Sequence, residues 1–133
     1  MTPKPLAIGL FVVALIACNS NLAGPTVGPL ATGRWTGDGA CLVVSDTSCN
    51  LAVGCGHGVF PRPTIRPDGS FDVDGTYRIE AGPISIQIAP PAHFSGTLIG
   101  ARLTLNVTPT GSLPPASYSM TPTTAGTCPI PCL

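Results

Sequence analysis

Residues 94–107 constrain the fold of this chain more than any other segment. Apolar residues alternate with Ser, Thr and Asn on both sides of Gly100-Ala101, a pair typical of a two-residue type II′ hairpin turn. With Ile99 opposite Arg102, the apolar side chains of both arms share one face and the polar side chains share the other. One buried face per strand is typical of an antiparallel sandwich or barrel.

The same period of two dominates from Gly33 onwards, and no window shows sustained helical spacing. A first strand is predicted around Trp35, whose side chain we expect to face inward. Further strands are predicted on both sides of a turn at residues 45–48, at residues 58–60, after the Asp68-Gly69 turn, at residues 84–88 and at residues 116–120. Gly75 interrupts one apolar face as a bulge or a bend. We therefore predict an all-β domain, either a small antiparallel β-sandwich or a partly open β-barrel, with about seven to nine short strands.

Composition narrows the class of protein. Glycine and proline number 16 each, but 44% of the residues are hydrophobic and only 9% are charged, whereas disordered chains are rich in charge and poor in apolar residues. Acidic and basic residues are equal in number, and they are scattered along the sequence. We therefore expect a folded domain and no binding of nucleic acid, which requires a basic patch.

The N-terminus has the organisation of an export signal. Lys4 precedes an apolar run at residues 6–17, which matches the core of a signal peptide and is too short to cross a bilayer as a helix. The run ends in Leu15-Ile16-Ala17-Cys18, which resembles the lipobox of bacterial lipoproteins. The resemblance implies cleavage before Cys18 and a covalent lipid on its thiol, which is the only cofactor we expect.

A lipid on Cys18 would anchor the chain to a membrane of the bacterial cell envelope. Asn19 in the second mature position favours the outer membrane. Residues 19–32 lack charge and contain several Gly and Pro, which predicts a flexible tether. The predicted organisation is a signal peptide at 1–17, the lipidated cysteine and tether at 18–32, and the β domain at 33–133.

Several short motifs occur in a fixed order along the domain: Trp35-Thr36-Gly37-Asp38, Cys55-Gly56-His57-Gly58, Gly69-Ser70-Phe71, Gly75-Thr76-Tyr77, Phe94-Ser95-Gly96 and a cysteine next to the C-terminus. Together they resemble a group of small bacterial secreted proteins and lipoproteins with no established activity. The resemblance implies export and a compact β domain, and it supplies no catalytic residues. It also implies a disulfide between Cys55 and Cys132, because the group keeps a cysteine at both positions.

Five cysteines remain once Cys18 is set aside: Cys41, Cys49, Cys55, Cys128 and Cys132. An exported chain is free to form disulfides, and an odd number leaves at least one thiol free or bonded to another molecule. Beside Cys55–Cys132, a second bond would use two of the other three. Cys41 and Cys49 flank one predicted hairpin, which slightly favours Cys41–Cys49.

Few residues suggest chemistry. The sequence has no catalytic motif such as G-x-S-x-G, so we expect no enzyme. We expect an exported, lipid-anchored binding or structural module whose partner is an envelope protein or a small ligand. The alternative is a metal-binding or thiol-redox protein that uses Cys55 and His57, because sulfur and imidazole suit zinc or copper. The cluster Asp68, Asp72 and Asp74 lacks the order of a calcium loop and fits a turn and a solvent-facing strand.

Overall fold

The computed structural model describes residues 2–3, 27–80, 89–124 and 128. These residues form ten strands: β1 (Gly28–Pro29), β2 (Gly33–Gly37), β3 (Ala40–Val44), β4 (Ser48–Val53), β5 (Gly56–Pro61), β6 (Thr64–Ile65), β7 (Ser70–Ile79), β8 (Pro91–Ile99), β9 (Arg102–Pro109) and β10 (Ala116–Thr123). Eight of them form a closed antiparallel barrel in the order β10-β2-β3-β4-β5-β7-β8-β9, and β1 pairs with β6 in a separate small sheet.

The all-β antiparallel prediction is confirmed, and the barrel is closed rather than partly open. Closure comes from β10, which pairs with β9 on one side and with β2 on the other, where Pro122 lies opposite Trp35. The predicted hairpin is confirmed in register, with Ile99 opposite Arg102 across the turn. Gly100 has a φ of 60°, as the first central residue of a type II′ turn requires.

The interior of the barrel is filled by the apolar face that the alternation predicts. Trp35 is only 4% exposed, as expected, and the rings of Phe60 and Phe94 stack with their centroids 4.3 Å apart. Among the described residues, no polar or charged side chain is buried. An eight-stranded barrel is just wide enough for side chains to fill it, so this interior is a packed core.

Two glycines let neighbouring strands approach closely inside the barrel. A Cβ on Gly96 would lie 1.9 Å from the carbonyl oxygen of Thr104, and one on Gly75 would lie 2.2 Å from that of Val59. The predicted bulge or bend at Gly75 is therefore better described as a close approach of β5 to a continuous β7. Neither position has room for a side chain.

The two ends of the barrel differ. We call the end where β2 begins and β10 ends the proximal end, and the other the distal end. At the proximal end, Leu30 and Ile65 are almost fully buried. The amide of Leu30 donates to the carbonyl oxygen of Pro63 (3.0 Å), and Nε of Arg62 donates to the carbonyl oxygen of Leu30 (2.6 Å). The sequence predicted that the domain begins at Gly33. In the structure the packed part of the domain already includes Leu30, because this side chain covers the end of the barrel core.

The second disulfide differs from the one that the sequence favoured. Cys41 is bonded to Cys128, with Cα atoms 5.6 Å apart, and Cys49 is a buried free thiol. The preference for Cys41–Cys49 was wrong because the two residues lie three pairs apart on the β3–β4 ladder, where Cys41 is opposite Ala52 and Cys49 is opposite Val44. Side chains an odd number of pairs apart point to opposite faces of a sheet.

Several predictions concern residues outside the described part of the chain. These are the signal peptide beyond Thr2 and Pro3, the lipid on Cys18, the sorting residue Asn19, the strand at 84–88 and the participation of Cys132 in a disulfide.

Candidate functional site

The proximal end carries a cleft of about 360 Å³, the volume of a small ligand site. Three parts of the fold meet around it: the segment between β1 and β2, the turn between β8 and β9, and the last residues of β10. Its apolar walls come from Pro29, Ala31, Trp35, Leu98, Ala101 and Pro122.

Trp35 is fixed in the wall of the cleft. Its Nε1 donates a hydrogen bond of 3.3 Å to the carbonyl oxygen of Ala31, and its backbone pairs with Leu42 on one side and Pro122 on the other. The bond satisfies the only polar atom of the indole, and because Trp35 is 4% exposed only a small part of its surface faces the cleft. This part of the wall is therefore held in place by contacts within the chain itself.

Polar groups at the cleft are few. Arg34 and the threonines at positions 32, 123 and 124 also line it, so the lining includes one charged residue and three residues with hydroxyl groups. Apolar walls with a small number of polar groups are typical of small-molecule sites, where the walls supply affinity and the polar groups orient the ligand. This arrangement suits a ligand with an apolar body.

The packed core limits the depth of the cleft. The stacked rings of Phe60 and Phe94 fill the middle of the barrel, and Leu30 and Ile65, beside and within the small sheet, are buried in the same core. A ligand would therefore bind at the mouth of the barrel and not along its axis.

The alternative site at Cys55 and His57 finds no support in the structure. Cys55 takes part in a disulfide, so in this state its sulfur is not a free thiolate that could bind a metal. His57 lies on β5 between Ala52 and Arg78 on the neighbouring strands. Within the described ranges, no three His, Cys, Asp or Glu residues lie close enough to hold a metal ion.

The bond of Cys55 leads outside the described residues, because Cys41 and Cys128 are bonded to each other and Cys49 is free. Its pairing with Cys132 therefore stays a prediction.

Cys49 is the one free thiol in the part of the chain that the structure describes. It faces the interior between Val44 and Phe60. Burial away from water raises the pKa of the thiol to about 12, against a small opposing effect of Arg62. A thiol with so high a pKa is protonated at neutral pH and unreactive, so Cys49 is a core residue and not a nucleophile.

The acidic cluster of the β6–β7 region is confirmed as a turn followed by a solvent-facing strand. The Asp68 carboxylate accepts hydrogen bonds from the amide and hydroxyl of Ser70, which lowers the pKa of Asp68 below its ordinary value. Asp72 is paired with Arg66, and this hydrogen bond and charge lower the pKa of Asp72. Asp74 is paired instead with Nδ1 of His93, at 2.8 Å.

Comparison of the chain with known protein families, curated proteins and solved structures found no match. Among the described residues, no helix is long and apolar enough to cross a membrane. The properties of the cleft are therefore the basis for assigning a role to the domain.

Proposed function

We propose that this protein is a non-enzymatic, lipid-anchored module of the cell envelope that binds a small apolar molecule in the proximal cleft. The observation that carries the proposal is the cleft itself: about 360 Å³, walled by apolar side chains, with the indole of Trp35 hydrogen-bonded to Ala31 at its edge. The preference for the outer membrane rests on Asn19, and the anchor rests on Cys18 at the end of the apolar run.

Trp35 provides a direct assay because it is the only tryptophan of the chain. The mature chain with Cys18→Ser, exported behind a cleavable secretory signal, is titrated with the neutral apolar dye N-phenyl-1-naphthylamine. Energy transfer from the indole reports a dye bound in the cleft. We expect saturable transfer with a dissociation constant in the micromolar range, the affinity of about −8 kcal/mol that a ligand of this size can reach.

A pair of matched variants locates the binding. Ala101→Tyr places a ring in the cleft, whereas Ser112→Tyr places the same ring in an exposed loop at the distal end. We expect the first to weaken dye binding at least tenfold and the second to leave it unchanged. Equal affinities in the two variants, or no saturable transfer in the parent chain, would show that the cleft is not a ligand site.

The anchor has its own test. Cells that express the full chain are labelled with radioactive palmitate, and the protein is recovered by immunoprecipitation. We expect label in the wild type and none in Cys18→Ser. Label that persists in Cys18→Ser would rule out this cysteine as the lipid site.

A further inference from the structure

We propose that the barrel rests on the membrane with its proximal end, so that Ile99 and Val27 contact an anionic phospholipid surface. The proposal deepens the proposed function and rests on the lipid anchor at Cys18. It is carried by three independent observations: the attachment point of the tether, the distribution of charge along the barrel, and the position of exposed apolar side chains.

The tether leads to the proximal end. The chain enters the barrel there, through β1 and Leu30. Eight residues lie between Cys18 and Val27, and that length of chain spans at most about 30 Å when fully extended. An acylated Cys18 in the bilayer therefore keeps the proximal end within that distance of the lipid, whatever path the tether takes.

Charge is distributed unequally between the two ends. The proximal end carries four arginines and two aspartates: Arg34, Arg62, Arg66, Arg102, Asp46 and Asp68. The distal half carries one arginine and three acidic residues: Arg78, Asp38, Asp74 and Glu80. Asp72, the third residue of β7, lies nearer the proximal end and pairs with Arg66. Counted with that end, it gives four arginines against three aspartates, a net charge of +1. An anionic surface attracts arginine and repels carboxylates, so it favours approach of the proximal end.

The two most exposed large apolar side chains lie at the rim of the same end, whereas Ile79 at the distal end is 47% exposed. Ile99 is 71% exposed and Val27 is 64% exposed, the two highest values among the large apolar residues that the structure describes. Ile99 lies directly opposite Arg102, outside the cleft. An apolar side chain beside an arginine suits a lipid interface, where the first enters the acyl boundary and the second meets phosphate.

This orientation also brings the mouth of the cleft next to the bilayer. Apolar molecules dissolve in the membrane, so a cleft at its surface can take up a ligand without passing it through water.

The test measures the depth of each end by fluorescence quenching. The lipidated mature protein is reconstituted in phosphatidylglycerol–phosphatidylcholine vesicles whose acyl chains carry bromine, which quenches nearby tryptophan. In a Trp35→Phe background, the probe is introduced by Ile99→Trp at the proximal rim or by Ser112→Trp at the distal end. We expect quenching at least twofold stronger for Ile99→Trp. Equal quenching, or stronger quenching for Ser112→Trp, would overturn the orientation.

The charge argument has a separate arm. Arg102→Glu, added to the Ile99→Trp protein, should reduce quenching in anionic vesicles and leave it nearly unchanged in pure phosphatidylcholine. Quenching that is indifferent to Arg102→Glu and to anionic lipid would refute the electrostatic part of the proposal.

Hydrogen exchange of the unsubstituted protein tests the same orientation without any substitution that could prevent folding. Amides of the Gly100-Ala101 turn should gain protection on vesicles, whereas those of the Gly111-Ser112 loop should not. The reverse pattern, or no gain at the first turn, would also overturn the orientation. Failure of the anchor is distinguishable, because a protein without lipid does not float with the vesicles at all. Dye binding in the cleft is measured without vesicles and is independent of both results.

Discussion

The closeness of the strands inside the barrel leads to a sharp prediction for Gly96→Ala. The new Cβ would lie 1.9 Å from the carbonyl oxygen of Thr104 and 2.9 Å from the ring of Phe71, whereas real Cβ contacts stay above 3.0 Å. Since backbone and not a flexible side chain is in the way, β8 and β9 must separate by about 1 Å. A hydrogen bond tolerates only about 0.5 Å of stretch, so ladder bonds at this point would break.

The size of the effect follows from these contacts. Two ladder bonds lost at about 1 kcal/mol each, with about 1–3 kcal/mol for crowding against Phe71, lower the free energy of unfolding by about 3–5 kcal/mol. Gly58→Ala is the matched control, because the nearest atoms to its Cβ would belong to the rings of Phe94 at 3.1 Å and Tyr77 at 3.3 Å and not to the backbone. Rings can shift by a few tenths of an ångström, so we expect a smaller loss of about 1 kcal/mol, the low end for overpacking.

Urea unfolding followed by Trp35 fluorescence gives both values from the transition midpoints. A domain of this size has a total stability of about 5–15 kcal/mol, so the predicted loss for Gly96→Ala is a large fraction of it. If Gly96→Ala costs less than 1 kcal/mol, or less than Gly58→Ala, then packing between β8 and β9 is looser than described and the reasoning fails.

Three further predictions concern the core and its links. Burial holds the pKa of Cys49 near 12, above its value in the unfolded chain. The stability that the protonated, buried thiol contributes to the folded state is therefore complete below about pH 9 and is lost as the pH rises toward 12. At pH 10.5 this effect lowers the free energy of unfolding by about 1–2 kcal/mol. Urea unfolding at pH 8 and pH 10.5 should therefore show that stability falls less with pH in Cys49→Ala than in the wild type. Replacing both Cys41 and Cys128 by Ala opens a loop with a sequence separation of 87 and should cost up to about 4 kcal/mol on the chain-entropy model; an unchanged melting temperature would contradict this. Leu30→Ala should cost about 3 kcal/mol because the side chain is fully buried, whereas a loss below 0.5 kcal/mol in the same urea assay would show that Leu30 does not seal the barrel.

Sequence reasoning works best where pairing is local. The β8–β9 register follows from the Gly100-Ala101 turn alone, because a two-residue loop leaves only one alignment of the flanking residues. The inward position of Trp35 follows from the alternation of its strand. In both cases the deciding interactions lie within a few residues along the chain.

Long-range features leave no such local signal. The pairing of Pro122 with Trp35, which closes the barrel, depends on the curvature of all eight strands, and the bond between Cys41 and Cys128 depends on the path that the chain takes after β10. The cleft is missed for the same reason. Trp35 and the Gly100-Ala101 turn are each visible in the sequence, but their convergence with Ala31 at one end of the barrel is a product of the closed fold.

The pairing of β10 with β2 has a consequence for the order of folding along the export route that we propose. A chain that crosses a membrane from its N-terminus delivers β2 first and β10 last, so the backbone donors and acceptors on the open side of β2 wait for a partner until almost the whole domain has been translocated. Until then the partly assembled sheet has two exposed edges, which are the usual starting points for misassembly between chains. A chain truncated before β10 would retain most of its core residues, yet one side of β2 and one side of β9 would be left without a partner strand.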